Sequence, residues 1–303
     1  MQNRRQFIIT GLTGSLALAM TGFRLPGGTA NTLPAPGVQL FTFFNVIDNN
    51  VAGTMHKVAE TGVKNIESAF SKKGDYYGMP AKEFTGLLKS LRMSWRSHHV
   101  FGAPFKMPAG AKDADGKPMT IPPMKNLKDN LNEILEDASA GGLQYLVAAH
   151  LPIGTKDEIK FSLDILNQSA PACKKAGIQL VYHNEPADFK IVDGQIPYEV
   201  FLTQTDPDAL KFELDIAWAI KAGQDPLQLF SRYPGRFPLW HIKDLSKDYT
   251  TVLPVGDGVL DNRKYFESAQ KAGLQYYFIE HEAAAEPFPS IGKSIRTINS
   301  YKS

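Results

Sequence analysis

Cysteine is almost absent from this chain: Cys173 is the only one in 303 residues. No intramolecular disulfide can form, and a thiolate-ligated metal cluster is excluded. Cys173 lies in SAPACKKAG, a helix-like stretch, and is expected only to pack. Net charge is nearly absent too, since 33 Lys and Arg offset 31 Asp and Glu to leave a formal +2. Such a balance gives no broad electrostatic case for nucleic acid, whose phosphates call for a basic face. Long apolar runs are missing. The stretch ITGLTGSLALAMTGF holds Gly and Thr and falls short of the roughly 20 residues of a membrane helix, so no stable span is expected. No Gly-rich phosphate loop follows the first strand-like run, which argues against a dinucleotide fold. Neither an internal repeat nor a second domain is visible.

What the chain does have starts with a leader pattern. Asn3-Arg4-Arg5-Gln6-Phe7-Ile8-Ile9 resembles the twin-arginine export signal, a basic pair followed by a large apolar residue. A weakly apolar stretch comes next, then a small-residue region near Gly28-Thr29-Ala30 where a peptidase could cut. Residues 1–30 are therefore expected to be a twin-arginine-type signal peptide, with the barrel described below occupying 31–303. The twin-arginine translocation machinery is the implied partner during export, and the mature protein is expected to be periplasmic. That route usually carries folded proteins with a cofactor already inserted, which suits a metalloprotein.

From about residue 37 onward, short apolar runs alternate with amphipathic stretches. Strand-like runs cover 38–44, 65–70, 94–100, 145–151, 178–185, 210–217, 237–244 and 275–282. Between them, segments such as NLKDNLNEILEDASAGG and DEIKFSLDILNQSAPACKKAG carry apolar residues at three- and four-residue spacing. Gly62, Gly142, Gly177, Gly223 and Gly273 each stand where a helix should stop, just ahead of the next strand. Eight strands alternating with helices predict an α/β fold, a single (β/α)8 TIM barrel. The insert 101–125, rich in Pro, Gly and Lys, follows the third strand and is expected over the active-site face.

Four of the later strands turn abruptly polar at their C-terminal ends: His183-Asn184-Glu185, Asp215, His241 with Lys243, and Glu280. Burying an unpaired charge costs several kcal/mol or more, so these groups need a partner. A shared divalent metal ion is the simplest one. Side chains alternate faces along a strand, so His183 and Glu185 share a face, as do Glu213 and Asp215, His241 and Lys243, and Glu280 and Glu282. One member of each pair can point into the barrel mouth. Mixed nitrogen and oxygen donors suit Mn²⁺, Zn²⁺, Mg²⁺ or Fe²⁺ without choosing among them.

Several segments together resemble the xylose isomerase-like TIM barrel superfamily, and within it an exported sugar phosphate isomerase/epimerase branch. Gly37-Val38-Gln39-Leu40-Phe41-Thr42 is similar to its opening GVQLYT strand, Val63 to Glu67 to GYKGVE, and Tyr77-Gly78-Met79 to YYGLS. Glu213 to Trp218, Ala222 to Pro226 and Arg236 to Asp244 follow ELDTGW, AGVDP and RVPLVHLKD nearly position for position. Val255 to Asp261 resembles VGEGVVD. The resemblance implies a divalent metal held at the ends of strands five to eight, with Asp215, His241 and Glu280 on ligand positions. Where the branch reads YHNHDFEF, this chain has Tyr182 to Phe189 with Glu185 in place of the second His. His183 or Glu185 is therefore the fifth-strand ligand, the other serving as base or substrate contact. Glu67, His99, His150 and Trp218 are the expected substrate contacts, and the Tyr76-Tyr77 pair offers another stacking surface.

The implied chemistry is proton abstraction beside the carbonyl of a sugar or keto-glycoside, with Glu185, Lys243 and Glu280 as catalytic groups. Isomerisation, epimerisation and β-elimination share that first step. A phosphorylated substrate does not suit an exported enzyme. The alternatives are a non-catalytic periplasmic barrel that binds a sugar or a metal, and an endonuclease-IV-type phosphodiesterase, disfavoured by seven histidines and near-neutral charge.

Overall fold

A computed structural model describes residues 33–74, 76–105, 110 and 124–301. The expected leader and most of the insert lie outside the described residues. The described residues form ten strands: β1 (Gly37–Gln39), β2 (Asn65–Ser68), β3 (Ser94–Phe101), β4 (Tyr145–His150), β5 (Gln179–His183), β6 (Leu210–Asp215), β7 (Leu239–Ile242), β8 (Asp244–Leu245), β9 (Val252–Leu253) and β10 (Tyr276–Ile279). Eight of them close into a barrel in the order β1-β10-β7-β6-β5-β4-β3-β2, while β8 and β9 pair as a separate hairpin. All barrel pairings are parallel. This is the (β/α)8 barrel that the alternation predicts.

Helices α1 (Val51–Glu60), α2 (Ala81–Ser90), α3 (Leu127–Gly141), α4 (Lys156–Lys175), α5 (Pro197–Gln204), α6 (Ile216–Lys221), α7 (Pro226–Arg232), α8 (Asn262–Glu267), α9 (Ala269–Ala272) and α10 (Pro287–Ser300) connect the strands. Local sequence sets their limits. Asn126 and Thr155 cap α3 and α4 by accepting the Asp129 and Glu158 amide N–H groups, satisfying donors the first turn leaves orphaned. Gly142 and Gly273 end α3 and α9 at φ 73° and 84°, a left-handed conformation in which glycine has no Cβ to clash. No helix among the described residues is long and apolar enough to cross a membrane. Cys173 is fully buried on α4 and burial pushes its thiol up to about 12, as expected of a packing residue.

One expectation needs correction. The first strand is not seven residues long; it stops at Gln39, and Leu40–Phe43 winds into a 3₁₀ turn held by the Gln39 side chain, which accepts the Phe41 N–H at 3.0 Å. The apolar run fits a strand and a buried turn equally well, so periodicity alone does not separate them.

Two apolar layers enclose the wall of the barrel. Outward-facing Val38, Ile66, Leu146, Leu180, Leu214, Trp240 and Ile279 belong to the main core with the helices. Inside, Tyr145, Val147, Val181, Leu239 and Phe278 form a separate plug toward the N-terminal end of the strands. Each such side chain contributes about 1.5–3 kcal/mol by leaving water. The plug also floors the barrel, so the polar residues one step further along each strand stand on a dry base.

Gly37 shows how tightly β1 and β10 close the barrel. A Cβ there would meet Phe278 Cδ1 and the Tyr277 carbonyl oxygen, each at 2.6 Å. Gly37→Ala is expected to cost about 1–3 kcal/mol, as overpacking does, and calorimetry should show Tm lowered by several degrees; an unchanged Tm contradicts this account of closure.

Candidate active site

The site begins where inward-facing positions rise above the plug. Asp215 is both the last residue of β6 and the N-cap of α6: its Oδ1 accepts the Trp218 N–H at 2.9 Å. The cap turns Oδ2 into the barrel, 2.8 Å from Lys243 Nζ and 3.8 Å from His241 Nδ1. Asn184, in the loop after β5, clamps this strand end by accepting the Asp215 N–H at 3.0 Å and donating to its carbonyl at 3.3 Å.

Lys243 is buried among carboxylates. Its Nζ donates to Glu280 Oε2 at 2.6 Å and Glu282 Oε1 at 2.8 Å. Burial opposes its charge, yet Asp215, Glu280 and Glu282 hold its pKa well above the usual range. A salt bridge with Asp244, the simplest structural role for this lysine, is not formed. Asp244 instead accepts the N–H groups of Leu245, Gly256 and Leu260, which folds the VGDGVLD loop around it.

His241 is the hinge between two layers. Above it, Nδ1 lies 3.0 Å from Glu280 Oε2. Below it, Nε2 lies 2.6 Å from Glu67 Oε1 and 3.3 Å from Glu213 Oε2. The lower layer also holds His99, whose Nε2 is 2.9 Å from Glu213 Oε2 and 3.1 Å from Glu67 Oε1. Burial works against a charged His99, but Glu67 and Glu213 raise it to about 9. Burial and the neighbouring His241 and His99 push His183 the other way, well below the usual histidine range, so it stands as a neutral imidazole.

Donor atoms of Asp215, His241 and Glu280 lie within 4.8 Å of one another, as do those of His99, His183, Glu213 and His241. Among the described residues, Glu213 Oε1 and Glu282 Oε2 are buried with no hydrogen-bond partner, and His183 Nδ1 has only Glu213 Oε2 beside it, at 3.2 Å and without an aligned hydrogen bond. Buried polar atoms are rarely left so. Burial, with help from neighbouring carboxylates, also lifts Glu185 to about 7, Glu213 to about 7 and Glu282 to about 8. The mouth thus carries more acid than its own cations neutralise, and the donor set fits a divalent ion.

Residues 55–301 match the profile of the Xylose isomerase-like TIM barrel family. The chain belongs to that family. It is 27% identical over 158 residues to an inosose dehydratase of Lacticaseibacillus casei, a match covering 45% of this chain and 52% of the relative. The chain thus spans about half the length of curated relatives it matches. Among solved structures, a sugar phosphate isomerase/epimerase from Parabacteroides distasonis ATCC 8503 aligns with TM-score 0.70 and 24% identity, over 90% of this chain and 96% of that one. The IOLI protein with a bound zinc atom aligns with TM-score 0.65 and 13% identity, over 88% and 98%. At such identities these structures speak for the shared fold alone.

In this member of the xylose isomerase-like family, one cavity opens above the site. Its lining divides into an apolar side, with Phe41, Phe70 and Phe101, and a polar side, with His183, Glu185, Glu280 and Glu282. His99 and His150 also line it, whereas His98 turns outward to Ser68 Oγ at 2.8 Å. Glu185 lines the cavity but belongs to neither donor group. Trp218 is not among the lining residues; its ring lies 4.6 Å from Lys243 Nζ. Glu67 does not line the cavity and is fully buried, in the layer it shares with His99 and His241. The tyrosine pair is packed in the core, Tyr76 at 5% and Tyr77 at 3% exposure, because the Tyr77 hydroxyl accepts the Ala69 N–H; neither presents a stacking face. The sequence pattern does not single out Glu213, Gln39 or Ser97, although the alternation that makes Asp215 inward-facing puts Glu213 on the same side.

Lys243 is the cation on which this arrangement leans. Lys243→Met should destabilise the fold by about 3–5 kcal/mol, the range for stranding a buried charge. Adding Glu282→Gln should recover part of that loss. Denaturant unfolding at neutral pH measures both; a Lys243→Met protein as stable as the parent contradicts the charge account.

Proposed function

We propose that this barrel is a divalent-metal-dependent enzyme that takes a proton from the carbon beside the carbonyl of a sugar or keto-glycoside. The observation carrying this reading is the buried donor group Asp215, His241 and Glu280, whose member Glu280 also lines a cavity together with two further carboxyl groups, Glu185 and Glu282. Membership of the xylose isomerase-like family supports it, as does the likeness to inosose dehydratases. Asp215, His241 and Glu280 would hold the ion, with His183 the neutral imidazole nearest to them. When bound, a divalent cation supplies Lewis-acid stabilisation of the negative charge that develops as the proton leaves carbon.

Within that scheme each protein group has a separate task. Glu185, held near 7 by burial, takes the proton from carbon, since a base works best with a pKa near the operating pH. Glu282, pushed up to about 8 by burial, carries a proton at neutral pH and gives it to a departing hydroxyl. The C–H and C–O bonds break, a C=C bond forms and water leaves. This elimination takes precedence over isomerisation because the curated relatives are inosose dehydratases. Returning the proton to a carbon instead gives isomerisation or epimerisation from the same groups. Lys243 keeps Asp215, Glu280 and Glu282 in place, and Phe70 and Phe101 offer apolar ring surface to the C–H face of a sugar ring. Among the described residues the cavity lining contains no Lys or Arg, which favours an uncharged substrate over a sugar phosphate.

The test uses chelator-treated protein with Mn²⁺ or Zn²⁺ restored, an inosose or a 3-keto-glucoside as probe, and ²H₂O as solvent. NMR is expected to show deuterium at the carbon beside the carbonyl, or the dehydrated product, only with metal present. Glu185→Gln should slow it by about 10²–10⁴-fold, the usual worth of a general base. Asp215→Asn keeps an acceptor for the Trp218 N–H but should abolish metal uptake. Protein that takes up no metal and turns over neither probe would be a non-catalytic binding barrel, and the proposal fails.

A further inference from the structure

Glu67 is buried on β2, across the barrel from His241 on β7, and nothing in the chemistry above uses it. Both its oxygens nonetheless have protein partners. Oε1 accepts from Gln39 Nε2 at 2.9 Å and faces His241 Nε2 at 2.6 Å. His99 Nε2 lies 3.1 Å from the same oxygen, and Oε2 accepts from Ser97 Oγ at 2.5 Å. Three contacts converge on Oε1 and one on Oε2, and the carboxylate has no exposure, so it is spent on protein groups and not offered to a substrate hydroxyl.

The way the strands deliver these groups points to a built arrangement. Gln39 and Glu67 are register partners across β1 and β2. Between β2 and β3 the register shifts at Ile66/Glu67, bringing Glu67 opposite Ser97. Such irregularities re-aim a side chain, and here the carboxylate is aimed at the barrel axis. Sinking a charge there is a poor route to stability, because buried ion pairs are often no better than apolar packing. What it does achieve is to fix one imidazole.

An imidazole that donates from Nε2 must present the lone pair of Nδ1 if it is to ligate. Glu67 takes the Nε2 side of His241 at 2.6 Å, closer than Glu213 at 3.3 Å. That leaves Nδ1 toward Glu280 Oε2 at 3.0 Å and Asp215 Oδ2 at 3.8 Å. We propose that Glu67 is a positioning residue: it orients His241 from below, holds the hydrogen on Nε2 and so presents Nδ1 as the metal-ligating atom. This inference rests on the metal site proposed above. Carboxylates behind ligating histidines act in this way in metalloproteins generally.

Zn²⁺ titration calorimetry on chelator-treated full-length protein tests it, with Glu67→Ala and Glu67→Gln beside the parent. Glu67→Ala is expected to bind Zn²⁺ about 10–100-fold more weakly. Glu67→Gln keeps an oxygen acceptor without the charge and should fall between. If Glu67→Ala does not fold, Glu67→Gln decides, with a loss of at least about threefold expected. Tm in EDTA is measured in parallel, since a purely structural role lowers Tm and leaves Zn²⁺ affinity alone. Variants binding Zn²⁺ within twofold of the parent overturn the inference, as does ¹⁵N NMR of the Zn²⁺-loaded parent showing Nε2 of His241 as the ligating atom. A parent protein that takes up no Zn²⁺ overturns the metal site itself, a result distinct from equal binding by parent and variants.

Discussion

Everything at the mouth of this barrel depends on how buried carboxylates are neutralised. Asp215, Glu280 and Glu282 crowd around one ammonium, Lys243 Nζ, at 2.6–2.8 Å. Below them Glu67 and Glu213 share His99 and His241. In a dry interior each of these charges is unfavourable alone and tolerable only in company. The protein has not balanced the account fully: Glu185 and Glu282 are pushed toward their acid forms by burial, and several donor atoms have no aligned partner. A packed core would not leave such a residue of unsatisfied acid, whereas a site built to receive a cation and exchange protons would.

The rest of the fold serves that cluster. An apolar plug of Val147, Val181, Leu239 and Phe278 supplies a floor that excludes water. Asn184 pins the end of β6, and Asp215 is oriented by its duty as the α6 cap. Asp244 gathers the amides of the following loop, which carries the chain away from β7 without exposing Lys243. Each device is local, and together they hold the side chains from β5, β6, β7 and the segment after β10 at one place. The opposite half of the rim is aromatic, with Phe41, Phe70 and Phe101 in a continuous run of ring contacts. An amphipathic cavity of this kind suits a sugar, whose C–H face is apolar and whose edge is polar.

Much of this was legible along the chain, and the exceptions have physical causes. Eight apolar runs became eight barrel strands, and Gly62, Gly142, Gly177, Gly223 and Gly273 all adopt positive φ where helices end. Asp215, His241 and Glu280 stand out because a polar residue ending an apolar strand is costly unless used. Which residues meet across the barrel is another matter. That depends on strand stagger, which carries no local signature, so the contact between Glu67 on β2 and His241 on β7 is invisible to periodicity. For the same reason the neighbour in sequence, Asp244, looks like the partner of Lys243, while the actual partners come from β6 and from beyond β10. Glu213 is legible only as the face-mate of Asp215; that both residues of the pair enter the cluster depends on His99 and His241, which reach it from other strands. The turn at Leu40–Phe43 hides because its composition suits a strand as well.

The most direct test of the central claim is anomalous diffraction at the manganese edge from crystals of the protein grown or soaked with Mn²⁺. The account predicts one strong peak bonded to Asp215, His241 through Nδ1, and Glu280. No peak at the barrel mouth, or a peak held by His99, His183 and Glu213 in place of Asp215 and Glu280, would contradict it.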